Sequence, residues 1–403
     1  MANLIPAAPL AEREEILALI RQFVDREVVP VASELEARDE FPADLVDQMR
    51  DLGLFGVTIP GEYGGLGLDY TTYALIQMEL SRGWMSLAGV LNTHTMAAWL
   101  IANHGTEDQR QRFLPRLASG EIRSAYAISE PHAGSDVQAI RTQAVEDGDR
   151  YIVSGEKLWV TNGLRSGLVM LLVKTDIDAN PRHRGISALI VEKEAGVADS
   201  PTLTVTPPIH KLGYRGVETT GLVFDNHVVP AANLLGGPAG VGHGFGYFMG
   251  ALELGRINVA ARGVGLATAA LECSLRYSRE REAFGKPIAE HQAIQMKLAD
   301  MATQIRASRL LTLDAAAKKD AGLRVDLDAG MAKLFATETA QSAVLEALRI
   351  HGGFGYSNEF LVERLYRDAP LLIVGEGTNE IQRLVIARRL LEQDAADQNR
   401  ERS

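Results

Sequence analysis

The sequence predicts an α+β multidomain protein in which helices come first, a small β unit follows and a helical bundle closes the chain. Three observations carry this reading. Of the 15 prolines, seven fall between residues 121 and 238 and only Pro287 and Pro370 lie beyond 239, and proline is excluded from helix interiors. The apolar period changes from helical to strand-like near residue 121 and returns to helical beyond Gly240. Strands and helices do not alternate along the chain, which argues against a mostly parallel α/β sheet.

Taken in order, Ile16, Leu19, Ile20 and Phe23 share one face at helical spacing with charges opposite, the pattern of an amphipathic surface helix. His104-Gly105 followed by Thr106-Glu107-Asp108-Gln109 reads as a glycine C′ residue and then an N-cap with Gln at N3, so two helices should meet there in a tight turn. Tyr151-Ile152-Val153, a turn at Ser154-Gly155-Glu156, and Leu158-Trp159-Val160 read as a hairpin. Gly167 to Lys174, Ile186 to Glu192 and Thr219 to Phe224 are further short strands. In the last segment Ile294, Leu298, Met301 and Ile305 repeat at helical spacing, and Met331, Leu334, Phe335 and Leu345 open a second run. Long antiparallel helices with short loops make a bundle.

Composition excludes several function classes. The 403 residues are 46% apolar and 23% charged, an ordinary globular mixture with no fixed-period repeat. With 41 Lys+Arg against 52 Asp+Glu the net charge is −11, so no global field attracts nucleic acid or anionic lipid. The single Cys273 can form neither an internal disulfide nor a multi-thiolate metal site, which suits a reducing, cytoplasmic setting. The longest clean apolar run, Leu168 to Val173, is far short of the ~20 residues that cross a bilayer, so no membrane insertion is expected. Met1 to Pro6, followed by Glu12, Glu14 and Glu15, lacks the basic and apolar regions of a signal peptide. Gly240-Val241-Gly242-His243-Gly244 misses the last glycine of a dinucleotide-binding loop, and no P-loop, zincin or α/β-hydrolase motif appears. No metal site is expected.

Several residues nevertheless carry chemistry, each with a plainer alternative. The segment Tyr126-Ala127-Ile128-Ser129-Glu130-Pro131-His132-Ala133-Gly134-Ser135-Asp136 offers unhindered N–H groups and hydroxyls to a planar or phosphorylated ligand, and reads equally as an interdomain turn. Arg281 suits a phosphate, or a surface ion pair with Glu280 or Glu282. Trp159 is a strand-packing aromatic or a ligand platform. Glu376, between Gly375 and Gly377 and ahead of Thr378 and Asn379, is a helix N-terminal acid or a base with room around it. Glu253 and Arg256, at i and i+3, can pair within one helix.

Five spaced segments together resemble the acyl-CoA dehydrogenase family: the Tyr126 to Asp136 stretch, Trp159-Val160-Thr161, Arg281-Glu282-Ala283-Phe284-Gly285-Lys286-Pro287, His351-Gly352-Gly353-Phe354-Gly355-Tyr356, and Gly375-Glu376-Gly377-Thr378-Asn379-Glu380-Ile381-Gln382-Arg383. The resemblance runs from about residue 10 to 392. It implies an N-terminal helical domain over 1–122, a central antiparallel β domain over 123–236 and a C-terminal four-helix bundle over 237–403, assembled as a dimer or tetramer around FAD. By the same resemblance Tyr126, Ile128, Ser129, Gly134 and Ser135 contact the flavin and its ribityl chain, with Trp159 and Thr161 against the ring. Arg281, Phe284, His291, Gln292, Arg349, Gly352 and Gly353 reach the diphosphate and adenosine, most of them from a neighbouring subunit. Thr378 and Glu380 border the cofactor, and Ser135, Glu253, Arg256 and Gly377 border the acyl-CoA. Glu376 abstracts the α-proton while flavin N5 takes the β-hydride, giving the trans-2-enoyl-CoA, and electron-transfer flavoprotein accepts the electrons.

The chain departs from the family in two places that bear on substrate. Arg349 stands where many members carry Gln, and Gly375 precedes the base where some medium-chain members carry Tyr. Asn92, His94 and Thr95 are unusually polar for an aliphatic acyl lining. A short, branched or polar-substituted acyl group is therefore expected. The alternatives are a flavin oxidase of the same fold, of acyl-CoA or nitroalkane type, a dehydrogenase of carrier-protein-tethered acyl groups, and, from another class, a catalytically silent helical scaffold.

Overall fold

The computed structural model describes residues 10–401, so the Met1 to Pro6 stretch weighed above lies outside the described residues. The first helical layer comprises α1 (Leu10–Phe23), α2 (Val29–Ala37), α3 (Ala43–Asp51), α4 (Tyr70–His104) and α5 (Glu107–Ala118). On α1, Ile20 and Phe23 are buried but Leu19 is half exposed. A π-helical turn at Val24–Val28 carries the contact line onto those two valines, which lie against Gly83 of α4. Thr106 caps α5 as expected: its hydroxyl accepts from Gln109 N while the Gln109 side chain accepts from Thr106 N.

The β unit contains β1 (Ser124–Ala127), β2 (Gln143–Asp147), β3 (Arg150–Thr161), β4 (Leu168–Lys174), β5 (Ile186–Glu192), β6 (Leu203–Val205) and β7 (Thr219–Pro230). Its sheet is mixed rather than wholly antiparallel, because β4 inserts between β1 and β2 and runs parallel to both. The chain leaves β1 through the long 128–142 loop, which acts as the crossover that parallel pairing requires. The expected turn at Ser154-Gly155-Glu156 does not exist. Gly155, at φ 140°, sits at a register shift inside the continuous β3, opposite an extra residue of β7, and the hairpin turn lies between Asp147 and Arg150. A Cβ on Gly155 would stand 2.6 Å from Thr142 Cα, so this glycine serves close backbone approach, not reversal.

The last part holds α6 (Gly244–Glu280), the short hairpin of β8 (Glu282–Ala283) and β9 (Lys286–Pro287), α7 (Gln292–Asp320), α8 (Asp326–His351), α9 (Leu361–Val374) and α10 (Asn379–Glu401). The α6 helix lies against both α4 and α8, and this places it at the centre of the molecule. On α8 the expected apolar face is rotated: Phe335 and Leu345 are exposed, while Ala332, Ala336, Ala340, Ala343 and Ala347 are buried. Small residues win because α6 approaches closely, a Cβ on Gly263 falling 2.9 Å from Ala336 O. Among the described residues no helix is long and apolar enough to cross a membrane.

Two histidines link this packing to pH. His94 is fully buried with its ring 5.0 Å from Phe55, and burial holds its pKa down at about 4. His104, stacked on Tyr247, is held at about 4, again chiefly by burial. Both stay neutral in the fold, whereas an unfolded chain binds their protons near pH 6.5, so stability is full above about 6.5 and is lost as pH falls toward 4. Thermal melts across that window should show the decline, and His94→Leu, which cannot charge, should remove part of it.

Candidate active site

The site is assembled around one turn of α4. Asn162, the residue after β3, donates from Nδ2 to Val90 O at 3.1 Å and to Thr93 Oγ1 at 2.7 Å. Asn92, on the same turn, donates to Glu376 Oε1. The end of the Trp159-to-Thr161 strand and the Gly375-Glu376-Gly377 turn, over two hundred residues apart, thus converge on residues 90–93. His94 does not join them. Two residues along a helix from Asn92, it points the other way, into the core.

Glu376 has φ 52° and Gly377 φ 84°, two successive residues in the left-handed region. This turn is closed from beneath by Lys333 of α8, which is fully buried. Its ammonium donates to Ile373 O and Gly377 O, each at 3.1 Å, and to Asn379 Oδ1 at 2.6 Å. Thr378 caps α10, its hydroxyl accepting from Ile381 N. Space for the carboxylate comes from Gly255 of α6, where an added Cβ would fall 2.0 Å from Glu376 Oε2. Arg262, two turns further along the same face of α6, places Nη2 3.4 Å from Glu376 Oε1. Burial raises the Glu376 pKa above the usual carboxylate range, and Arg262, Asn92, Lys333 and Arg256 oppose that rise.

The geometry around the other residues bears on their plainer alternatives. Glu253 pairs with Lys319 at 3.2 Å and not with Arg256, whose Nε is buried without a partner. Arg281 has no carboxylate partner among the described residues and lies over the Phe354 ring at 5.9 Å, beside a cleft of about 540 Å³ that Gly352 and Gly353 also line. Phe284, at φ 54°, is almost wholly exposed, with His291 edge-on to it, and Gln292 opens α7 beside them. Arg349 is engaged by Glu346 at 2.6 Å on its own helix, and Glu380 is an exposed first-turn acid of α10. Tyr126 is turned away from the loop it opens: its ring stacks on Phe248 and its hydroxyl donates to Phe248 O at 3.0 Å.

The Ile128-to-Ser135 loop is bolted down by a pair that sequence reasoning missed. Glu130, buried, accepts from Arg141 N, Thr142 N and Lys157 Nζ, and the same ammonium donates to Ile128 O at 3.0 Å. Ser129 O accepts from Leu158 N at 2.9 Å, so Ile128, Ser129 and Glu130 are each tied to β3. The period-2 pattern of β3 signalled that Lys157 points inward with Val153, but an inward lysine has meaning only once its acid is known.

Models of the acyl-CoA dehydrogenase N-terminal, middle and C-terminal domains match residues 11–121, 125–227 and 242–391. The chain belongs to the acyl-CoA dehydrogenase family. It is 43% identical over 374 residues to an acyl-CoA dehydrogenase of Bacillus subtilis, covering 93% of this chain and 96% of that one. It is 40% identical over 373 residues to the mitochondrial short-chain specific acyl-CoA dehydrogenase of Bos taurus, covering 92% and 88%. The structure of butyryl-CoA dehydrogenase from Megasphaera elsdenii superposes with a TM-score of 0.90 at 35% identity, covering 96% of this chain and 100% of that one. The enzyme is therefore a flavin-linked oxidoreductase with FAD as its cofactor.

The residues present fit that cofactor. Trp159, at φ 64° inside the register shift between Lys157 and Val160 of β3, turns its indole out of the sheet and leaves it 58% exposed, a strained and open aromatic surface that a flat heterocycle would cover. An added Cβ at Gly134, Gly352 or Gly353 would meet nothing within 4 Å, so backbone is laid open at both motifs. Ser135 stands exposed beside Gly134.

Gly255 provides a sharp test of how the enzyme's carboxylate is placed. Gly255→Ala should keep or raise the thermal midpoint, since alanine favours a helix interior by about 1 kcal/mol. The methyl displaces the Glu376 carboxylate, so substrate-dependent flavin reduction should fall roughly tenfold to a hundredfold. Melting curves and stopped-flow absorbance on one preparation check both halves.

Proposed function

We propose that the enzyme dehydrogenates a short acyl-CoA thioester between Cα and Cβ with Glu376 as the base. The observation that carries this is the convergence of the Glu376 carboxylate and the exposed Trp159 strand on one turn of α4. Bound FAD supplies the hydride acceptor. Glu376 takes the α-proton; Gly255 gives its carboxylate room, Lys333 holds the turn beneath it, and Asn92 fixes one of its oxygens. Its own backbone N–H, presented from a left-handed residue, is the proposed donor to the thioester oxygen, where it strengthens as enolate charge develops. A raised carboxylate pKa brings the base nearer the operating pH.

The Trp159-Thr161 strand and the loop of Ile128, Ser129, Gly134 and Ser135 are proposed to hold the flavin and ribityl chain, with Tyr126 acting only by bracing that loop against α6. Arg281, Phe284, His291, Gln292, Gly352 and Gly353 are proposed to serve a neighbouring subunit's diphosphate and adenosine. Support comes from Phe284, a phenylalanine 97% exposed on a strained backbone, which a second copy would cover. Arg256 and Gly377 are assigned to the substrate side, and Glu253 to holding Lys319. The short acyl group draws support from relatives named for short-chain and butyryl substrates. Electron-transfer flavoprotein is the proposed acceptor, in the cytoplasm.

Anaerobic addition of butyryl-CoA to the FAD-loaded enzyme should bleach the flavin absorbance. In Glu376→Gln, with flavin still bound, bleaching should slow by about a thousandfold. Equal bleaching in the variant would remove Glu376 from the chemistry, and rapid reoxidation of the reduced enzyme by O₂ would favour the oxidase reading instead.

A further inference from the structure

Behind Glu376, the wall formed by α4 and α6 carries a cation that an alkyl chain cannot serve. Arg262 is only 5% exposed. Among the described residues Glu376 is the one carboxylate within ion-pair range of it, at 3.4 Å, and its Nε has no hydrogen-bond partner. The guanidinium is fixed on its other side by Tyr214, whose ring centre lies 5.9 Å away. Tyr214 is itself locked, its N–H donating to Asp368 Oδ1 and its hydroxyl end filling the notch at Gly89 of α4. Lys333 and Arg256 are two more buried cations near the same carboxylate, so positive charge is in excess there.

On the reading that Glu376 is the base, its carboxylate becomes neutral on taking the α-proton. Arg262 stays charged throughout. With an alkyl acyl group it would then be a buried cation with no anion, the arrangement proteins avoid most strongly. We infer that Arg262 anchors a carboxylate carried by the acyl group, and that the substrate is the CoA thioester of a short dicarboxylic acid. The fork of a guanidinium binds a carboxylate through two parallel hydrogen bonds, which fixes the direction of the acyl chain as well as its charge.

Reach sets the length. The α-carbon must come within roughly 3–3.5 Å of the base, and the guanidinium lies 3.4 Å from that same base. A terminal carboxylate roughly two or three carbons beyond Cα satisfies both constraints, which is the size of a succinyl or glutaryl group. The reaction is the one already assigned: the Cα–H bond breaks with its proton going to Glu376, the Cβ–H bond breaks with its hydride going to FAD, and the double bond forms between the two carbons.

The test uses the FAD-loaded enzyme and three probes, succinyl-CoA, glutaryl-CoA and butyryl-CoA, with anaerobic flavin bleaching as the readout. The expected result is that one dicarboxylic thioester reduces the flavin with the highest second-order rate constant. In Arg262→Gln that constant relative to butyryl-CoA should drop by about a hundredfold, the scale of losing one partner of a buried charge pair. Arg262→Lys, which keeps the charge and loses the fork, should fall between. The flavin spectrum before substrate shows that each variant is folded, and the wild-type comparison needs no variant. A wild type that prefers butyryl-CoA, with a ratio that Arg262→Gln leaves unmoved, overturns the anchor and leaves the base assignment standing. If no thioester bleaches the wild type, the base assignment and the anchor fall together.

Discussion

A lysine ammonium with no carboxylate in ion-pair range among the described residues sits wholly inside this protein, under the turn that carries Glu376. Lys333 is stabilised by two backbone carbonyls and one carboxamide oxygen, and all three acceptors belong to the chain between Ile373 and Asn379. Burying an ammonium is expensive unless its donors are filled, so the turn and the lysine hold each other in place. The same bonds keep Glu376 and Gly377 in left-handed conformations that cost about 1 kcal/mol or more for a non-glycine residue. Once the turn is fixed, the carboxylate can point only into the gap left by Gly255, against Asn92 and Arg262.

The two halves of the site are built by the same device. Lys157 under the 128–135 loop and Lys333 under the 375–377 turn are both fully buried lysines that donate to backbone carbonyls of the segment they support. Burial lowers the pKa of each to about 8. They differ in their counter-charge: Lys157 has Glu130 at 2.8 Å, whereas Lys333 has only the more distant Glu376 and helix-borne acids. The loop above Lys157 is therefore held by a neutral pair, and the positive charge of Lys333 remains available to the carboxylate above it.

Much of this was legible in the sequence, and what was not had physical reasons. Helix, strand and helix order followed from proline placement and period, and the Thr106 cap from its local chemistry. At Gly155 a strand irregularity and a turn leave the same local signature, and only the 2.6 Å approach to Thr142 separates them. On α8 the large apolar residues dominate the sequence pattern, whereas close helix contact with α6 selects the alanines. At the site, the motifs pointed to Glu376, Trp159 and Arg281 but were silent on Gly255, Arg262, Lys333 and Lys157. Those four act through partners distant in sequence, and a lone glycine, arginine or lysine within a helix or strand carries no sign of the partner it will meet. Asn92, His94 and Thr95 are neighbours in sequence, but helical geometry sends Asn92 to Glu376 and His94 to the core.

The central claim is that Lys333 both shapes the Glu376 turn and acts on its charge. The most direct measurement is the pH dependence of the first-order flavin reduction rate at saturating thioester, in the wild type and in Lys333→Met, with bound flavin confirmed in both. Because the ammonium favours the carboxylate form of Glu376, its removal should move the acid limb of the profile to higher pH while lowering the plateau. An acid limb that stays in place, with flavin still bound, would contradict the account and leave Lys333 a packing residue alone.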